Sequence, residues 1–174
     1  MSYLREYFDL YRYFSKKNAR ARQITFYAEG AMYYRYFRGY IQYILNHSDR
    51  DLCYISSEAT DPIFKDKNSR IKKFYAKSTF PDLAQHIDAR ALIYTLDDLN
   101  QFLIKRSTNP KTEHIFTFHA VSSTTMVHRK GAFDFYDTIF CIGAYQQEEI
   151  RAREVKYSLP AKNLVAVGYP YLDD

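Results

Sequence analysis

Tryptophan is missing from this chain, and glycine, proline and cysteine are scarce at five, five and two among 174 residues. With so few glycines there is no Walker A loop, and no GxGxxG follows "QITFYAEG", where Gly30 stands alone. Both gaps argue against an ordinary nucleotide-phosphate loop. A GxSxG elbow is also lacking, which argues against a serine hydrolase of that type. The two cysteines, Cys53 and Cys141, sit inside apolar runs (DLCYIS, TIFCIG) with no Cys or His at zinc-finger spacing. They read as buried thiols, and no metal site is expected. No apolar run approaches the roughly 18 residues needed to span a bilayer, and no signal peptide opens the chain. The reading is a cytoplasmic protein, long enough for one domain and short for two, without repeats or low-complexity segments.

What the chain does have is aromatic surface: 18 Tyr and 13 Phe. Tyrosine on this scale predicts half-buried surfaces with one wet end, as at clefts and interfaces. The net charge of +5 is unevenly placed. Up to Arg22, six basic residues (Arg5, Arg12, Lys16, Lys17, Arg20, Arg22) face two acids (Glu6, Asp9), so residues 1–22 hold +4 of the +5. This is a basic arm on a nearly neutral body. Leu4, Tyr7, Phe8, Tyr11 and Phe14 fall at helical spacing and predict an amphipathic helix ending near Asn18. Its aromatic stripe is expected to pack on the body, the alternative being insertion into an anionic membrane surface. The near-neutral body argues against nucleic acid as the partner.

From residue 23 onward, apolar strands alternate with helical patterns. "QITFYAEG", "DLCYISS", "RIKKFYAK", "RALIYTL", "HIFTFHA", "DTIFCIG" and "NLVAVGYP" read as strands. Helices are predicted from Tyr33 to Leu45, from Pro81, after Asp97-Asp98 through Ile104, across "TTMVHRKG" with a Ser122 or Ser123 cap, and over "YQQEEIRAREVKYSL". Such alternation predicts an α/β fold: a Rossmann-like three-layer domain over 23–174 with a mostly parallel sheet, preceded by the helical arm.

In such sheets ligands bind beyond the carboxyl ends of the strands. That edge holds Glu29-Gly30, Ser57-Glu58, Asp97-Asp98, His119 to Ser123, Gly143 to Tyr145 and Gly168 to Pro170. His119 reads either as a structural histidine or as a chemical one. The Ser122, Ser123, Thr124 run reads either as simple helix capping or as a phosphate site at a helix N-terminus.

The block "FTFHAVSSTTMVHRKGAFDFYDTIFCIGAYQQEEIR", with "VAVGYPYLDD", "FYAEG" and "YISSEATDP", resembles the N-terminal half of the CDP-glycerol glycerophosphotransferase family, the teichoic-acid type polymerases. The likeness spans Ile24 to Asp174. It implies the acceptor-side half of a glycosyltransferase-B architecture, with a separate C-terminal half binding a CDP-glycerol or related CDP-activated donor. This chain stops where the family's first domain ends, so the donor half is expected to be missing and this part alone inactive, with no cofactor of its own. The resemblance casts His119 as the catalytic base, although the family's following Gly-Thr is here Ala120-Val121, trailed by hydroxyls. It casts Arg129 or Lys130 as the family's basic residue, and leaves Phe135 to Asp137 ("FYD") as structural. Glu29, Ser122, Ser123 and Thr124 complete the expected substrate contacts. The implied acceptor is a lipid-linked or polymeric glycan or polyol-phosphate of the cell envelope, reached through an anionic membrane surface by residues 1–22. The alternative is a non-catalytic, flavodoxin-like module that binds a phosphorylated small molecule.

Overall fold

Seven apolar segments form one all-parallel sheet in the computed structural model, which describes residues 2–172. The strands are β1 (Ile24–Ala28), β2 (Leu52–Ser56), β3 (Ile71–Tyr75), β4 (Ala91–Tyr94), β5 (Glu113–Thr117), β6 (Thr138–Cys141) and β7 (Asn163–Ala166). Their spatial order is β3-β2-β1-β4-β5-β6-β7, the doubly wound Rossmann-like order with one extra strand. Central strands are buried on both faces, which explains their continuous apolar runs: every residue of β2 is buried. Cys53 and Cys141 are free thiols inside this sheet.

Among the described residues four α-helices flank it: α1 (Ser2–Phe14), α2 (Tyr34–His47), α3 (Phe80–His86) and α4 (Ala144–Tyr157). Phe37 and Ile41 of α2 pack on one face with Phe26, Leu52 and Tyr54. Tyr13, Phe80, Leu83 and Ile150, from α1, α3 and α4, pack on the other. Burying side chains of this size stabilises the fold by about 1.5–3 kcal/mol each.

Three expectations need correction. No helix forms between Asp97 and Ile104; Asn100 takes a left-handed conformation (φ 66°) and its N–H bonds back to Ile104 O at 2.8 Å, turning the chain. No helix forms across "TTMVHRKG" either, for reasons found at the site. The N-terminal helix ends at Phe14 instead of near Asn18, because Ser15 Oγ and Asn18 Nδ2 both donate to the Arg12 carbonyl (2.7 and 2.8 Å) and stop the helix there.

The orientation of α1 is the larger surprise. Its aromatic stripe does not pack on the body: Leu4 and Tyr11 are 79% and 78% exposed. The buried face carries Glu6, Asp9 and Tyr13 instead. β3 is an edge strand, and the N–H of Tyr75 donates to Asp9 Oδ2 at 3.0 Å. Just beyond the strand, the N–H groups of Lys77 and Thr79 donate to Glu6 Oε2, both at 3.0 Å. Backbone donors at a covered sheet edge require acceptors, and the two carboxylates supply them.

Within β5, His114 is fully buried and stacked on Tyr94. Its Nε2 accepts the Ser107 N–H at 3.1 Å, so the ring proton sits on Nδ1, which faces Asp137 at 3.5 Å, too long for a good hydrogen bond. Burial, then the Arg106 guanidinium, pulls its pKa down from 6.5 to about 4. The folded ring therefore stays neutral where the unfolded chain has taken up a proton. Its contribution is fully present above pH 6.5 and is lost as pH falls towards 4. At pH 4.5 the loss should be about 2.5 kcal/mol relative to pH 7. His114→Gln keeps an acceptor for Ser107 and removes the titration. Urea unfolding of both proteins at the two pH values should show the variant losing less stability by about that amount; equal losses would refute the assignment.

Candidate functional site

The sheet order reverses between β1 and β4, and the crevice at such a switch point, beyond the carboxyl ends of the strands, is where ligands bind in this architecture. Glu29 follows β1, Asp97 and Asp98 follow β4, and His119 lies two residues past the end of β5. Topology alone thus gathers residues 29, 97, 98 and 119 from three strand ends.

His119 is partly buried, and its Nδ1 is fully enclosed near the Thr95 backbone without a hydrogen bond of ordinary geometry. Desolvation first, and the neighbouring His128 second, hold its pKa below the usual histidine value. With the ring proton on Nδ1, the lone pair is on Nε2, the form a general base needs. His128 is itself anchored: its Nδ1 pairs with Asp97 Oδ2 at 3.0 Å, and that bond is the main reason the Asp97 carboxyl lies below its ordinary range. The two histidines line one cavity of about 30 Å³, room for a single water.

A wall of tyrosine surrounds His119. The Tyr33 ring meets it edge-on at 5.5 Å and the Tyr36 ring lies tilted at 5.9 Å. Tyr169 donates its hydroxyl to the His119 carbonyl at 3.1 Å, and Tyr171 packs on Tyr36 at 5.6 Å. The C-terminal segment reaches this position because Gly39 has no side chain. A Cβ there would stand 2.6 Å from the Pro170 Cβ.

The other expected contacts divide. Glu29 stays at the edge, where desolvation and then the charges of Asp98 and Asp97 raise its carboxyl pKa. Arg129 joins the same group, pairing with Asp98 at 3.2 Å. Lys130 lies apart, over the Tyr157 ring of α4 at 4.4 Å. It lines a cavity of about 380 Å³ with Arg153 and Lys156, and His128 borders both this cavity and the small one.

The Ser122–Thr124 run has a different task from the one expected. Without a helix there is no helix N-terminus, and the Ser123 hydroxyl and both Thr124 donors are already taken. Ser123 Oγ donates to Glu149 at 2.8 Å, while the N–H and hydroxyl of Thr124 donate to the same carboxylate at 2.5 and 2.6 Å. The Ser122 carbonyl accepts from Gln146 Nε2 at 3.2 Å. Arg153 ties down the carbonyls of Thr124 and Arg129. The loop is therefore held open by α4 and by the His128–Asp97 pair. The β-branched Thr124, Thr125 and Val127 offer little helical preference to compete.

"FYD" is structural as expected: Asp137 accepts the His114 N–H at 2.8 Å and pairs with Arg106. Sequence reasoning missed His128, the tyrosine wall and the role of Glu149. The second histidine of the "FHAVSSTTMVH" stretch was the one signal pointing to His128. Among the described residues no group of three or more His, Cys, Asp or Glu side chains is arranged to hold a metal ion. No protein-family model, curated protein or solved structure matches the chain.

Proposed function

We propose that this chain is the acceptor-side domain of a transferase that moves a phospho-alcohol or sugar unit from a CDP-activated donor onto a hydroxyl of a cell-envelope polymer, of the CDP-glycerol glycerophosphotransferase kind. The observation that carries the reading is His119: a desolvated, neutral-leaning imidazole at the topological switch point, walled by tyrosines suited to the face of a sugar or polyol. In the reaction, the acceptor hydroxyl attacks the β-phosphorus. A new P–O bond forms, the bond to CMP breaks, and the hydroxyl proton passes to His119 Nε2. Positioning and charge stabilisation carry most of such a transfer, and Arg129, paired with Asp98 at 3.2 Å, brings a cation to this edge.

The reading requires a nucleotide-binding partner half. Reconstituted with it, the protein should release CMP from CDP-glycerol only when a polyol-phosphate acceptor is present. Acceptor-independent release, or none, would overturn it. A non-catalytic module for a phosphorylated small molecule is the second reading, favoured by the cavity that Lys130, Arg153 and Lys156 line. Binding of glycerol phosphate without any CMP release would select it.

A further inference from the structure

We infer that the outward face of α1 is a docking surface for an anionic lipid bilayer. This stands independently of the proposed reaction. Tyr3, Leu4, Tyr7, Phe8 and Tyr11 point away from the body and are 62–79% exposed, five large side chains on one helix face. They cannot turn inward, because the opposite face of the helix is committed: Glu6 and Asp9 are buried and bonded to the backbone beyond and within β3.

That commitment also sorts the charge. The two acids of the arm face inward, while five of its six basic residues (Arg5, Arg12, Lys16, Lys17, Arg20) are exposed. Arg22, the sixth, is buried against Asp88. Arg5 and Arg12 lie on the flanks of the helix, paired with Asp9 at 3.8 and 2.8 Å and stacked on Phe64 and Phe74 of the body. The cationic rim of the outward apolar face is therefore carried by Lys16, Lys17 and Arg20, past the end of the helix. Tyrosines and phenylalanines at headgroup depth, rimmed by Lys and Arg, match the chemistry of an anionic membrane interface. A second copy of the chain is disfavoured as occupant, since its own Lys16, Lys17 and Arg20 would face these three. No helix among the described residues is long and apolar enough to cross a membrane, so attachment would be in the interface plane.

The test is co-sedimentation of the chain with vesicles. Binding to phosphatidylglycerol–phosphatidylcholine vesicles should exceed binding to pure phosphatidylcholine by at least about tenfold and weaken with salt. Leu4→Glu with Tyr11→Glu should lower it by about tenfold or more, with the circular dichroism melt unchanged because both side chains are solvent-exposed. Lys16→Glu with Lys17→Glu, outside the helix, should abolish the preference for anionic lipid. Failure of the wild type to bind anionic vesicles would overturn the proposal, as would undiminished binding by both pairs of variants. So would a concentration-dependent dimer in sedimentation velocity that the Leu4/Tyr11 variant dissolves, with no vesicle binding.

Discussion

His119→Ala should lower acceptor-dependent transfer in the reconstituted enzyme by about 10²–10⁴-fold, the usual range for a lost general base. A purely structural histidine would instead show its loss in stability, so the melting temperature is the companion measurement. The pH profile separates the two roles further. The base must be neutral, so activity should fall as pH drops through the folded pKa of His119. Desolvation and His128 hold that value below the ordinary 6.5, so the acid limb should lie below 6.5 as well. His128→Gln removes a repulsive neighbour and leaves Asp97 unpaired beside His119, and both changes should move the limb upward. Retained transfer in His119→Ala, or an acid limb that ignores His128, returns His119 to a structural role.

Glu6→Ala should cost about 2–4 kcal/mol of stability, because hydrogen bonds to a charged group are worth about 1.5–3 kcal/mol each and buried donors left without partners are penalised. One carboxylate oxygen, Oε2, receives the N–H groups of Lys77 and Thr79 and the Thr79 hydroxyl at 3.0–3.1 Å. Truncation orphans all of them at the exit of the edge strand. For a chain of this length the loss corresponds to a fall of roughly 6–12 °C in melting temperature. Glu6→Gln keeps an oxygen acceptor without the charge and should cost less than half as much. A neutral Glu6→Ala would mean that α1 is held by its apolar contacts and that the carboxylate is incidental. Tyr13, enclosed among Phe74 and Thr25, would then be the anchor.

The parallel sheet was legible because continuous apolar runs such as "ALIYTL" and "TIFCIG" have no other stable use than burial on both faces. The ligand edge followed from it, since strand direction in a parallel sheet puts every strand exit on one side. His119, Glu29 and the Asp97-Asp98 pair were readable as edge residues on that ground alone. Their grouping was not: it depends on which strands are neighbours, and β1 stands beside β4 although residues 52–75 lie between them in the chain. The helix expected across "TTMVHRKG" failed for a related reason. Local pattern favoured it, but Glu149 and Arg153, from a helix some 25 residues later, compete for the same hydroxyls, amides and carbonyls and win.

The sequence by itself determined the alternation of strands and helices, the mostly parallel sheet it implies, and the side of that sheet on which chemistry would sit. These follow from local periodicity and burial, which each segment carries within itself. Only the tertiary structure decided which face of α1 turns inward and what Ser123 and Thr124 bind. A helix stripe records amphipathicity but not the direction of burial. Here the backbone N–H groups of Tyr75, at the end of β3, and of Lys77 and Thr79 just beyond it take the two carboxylates as acceptors, and the aromatic face is left outside.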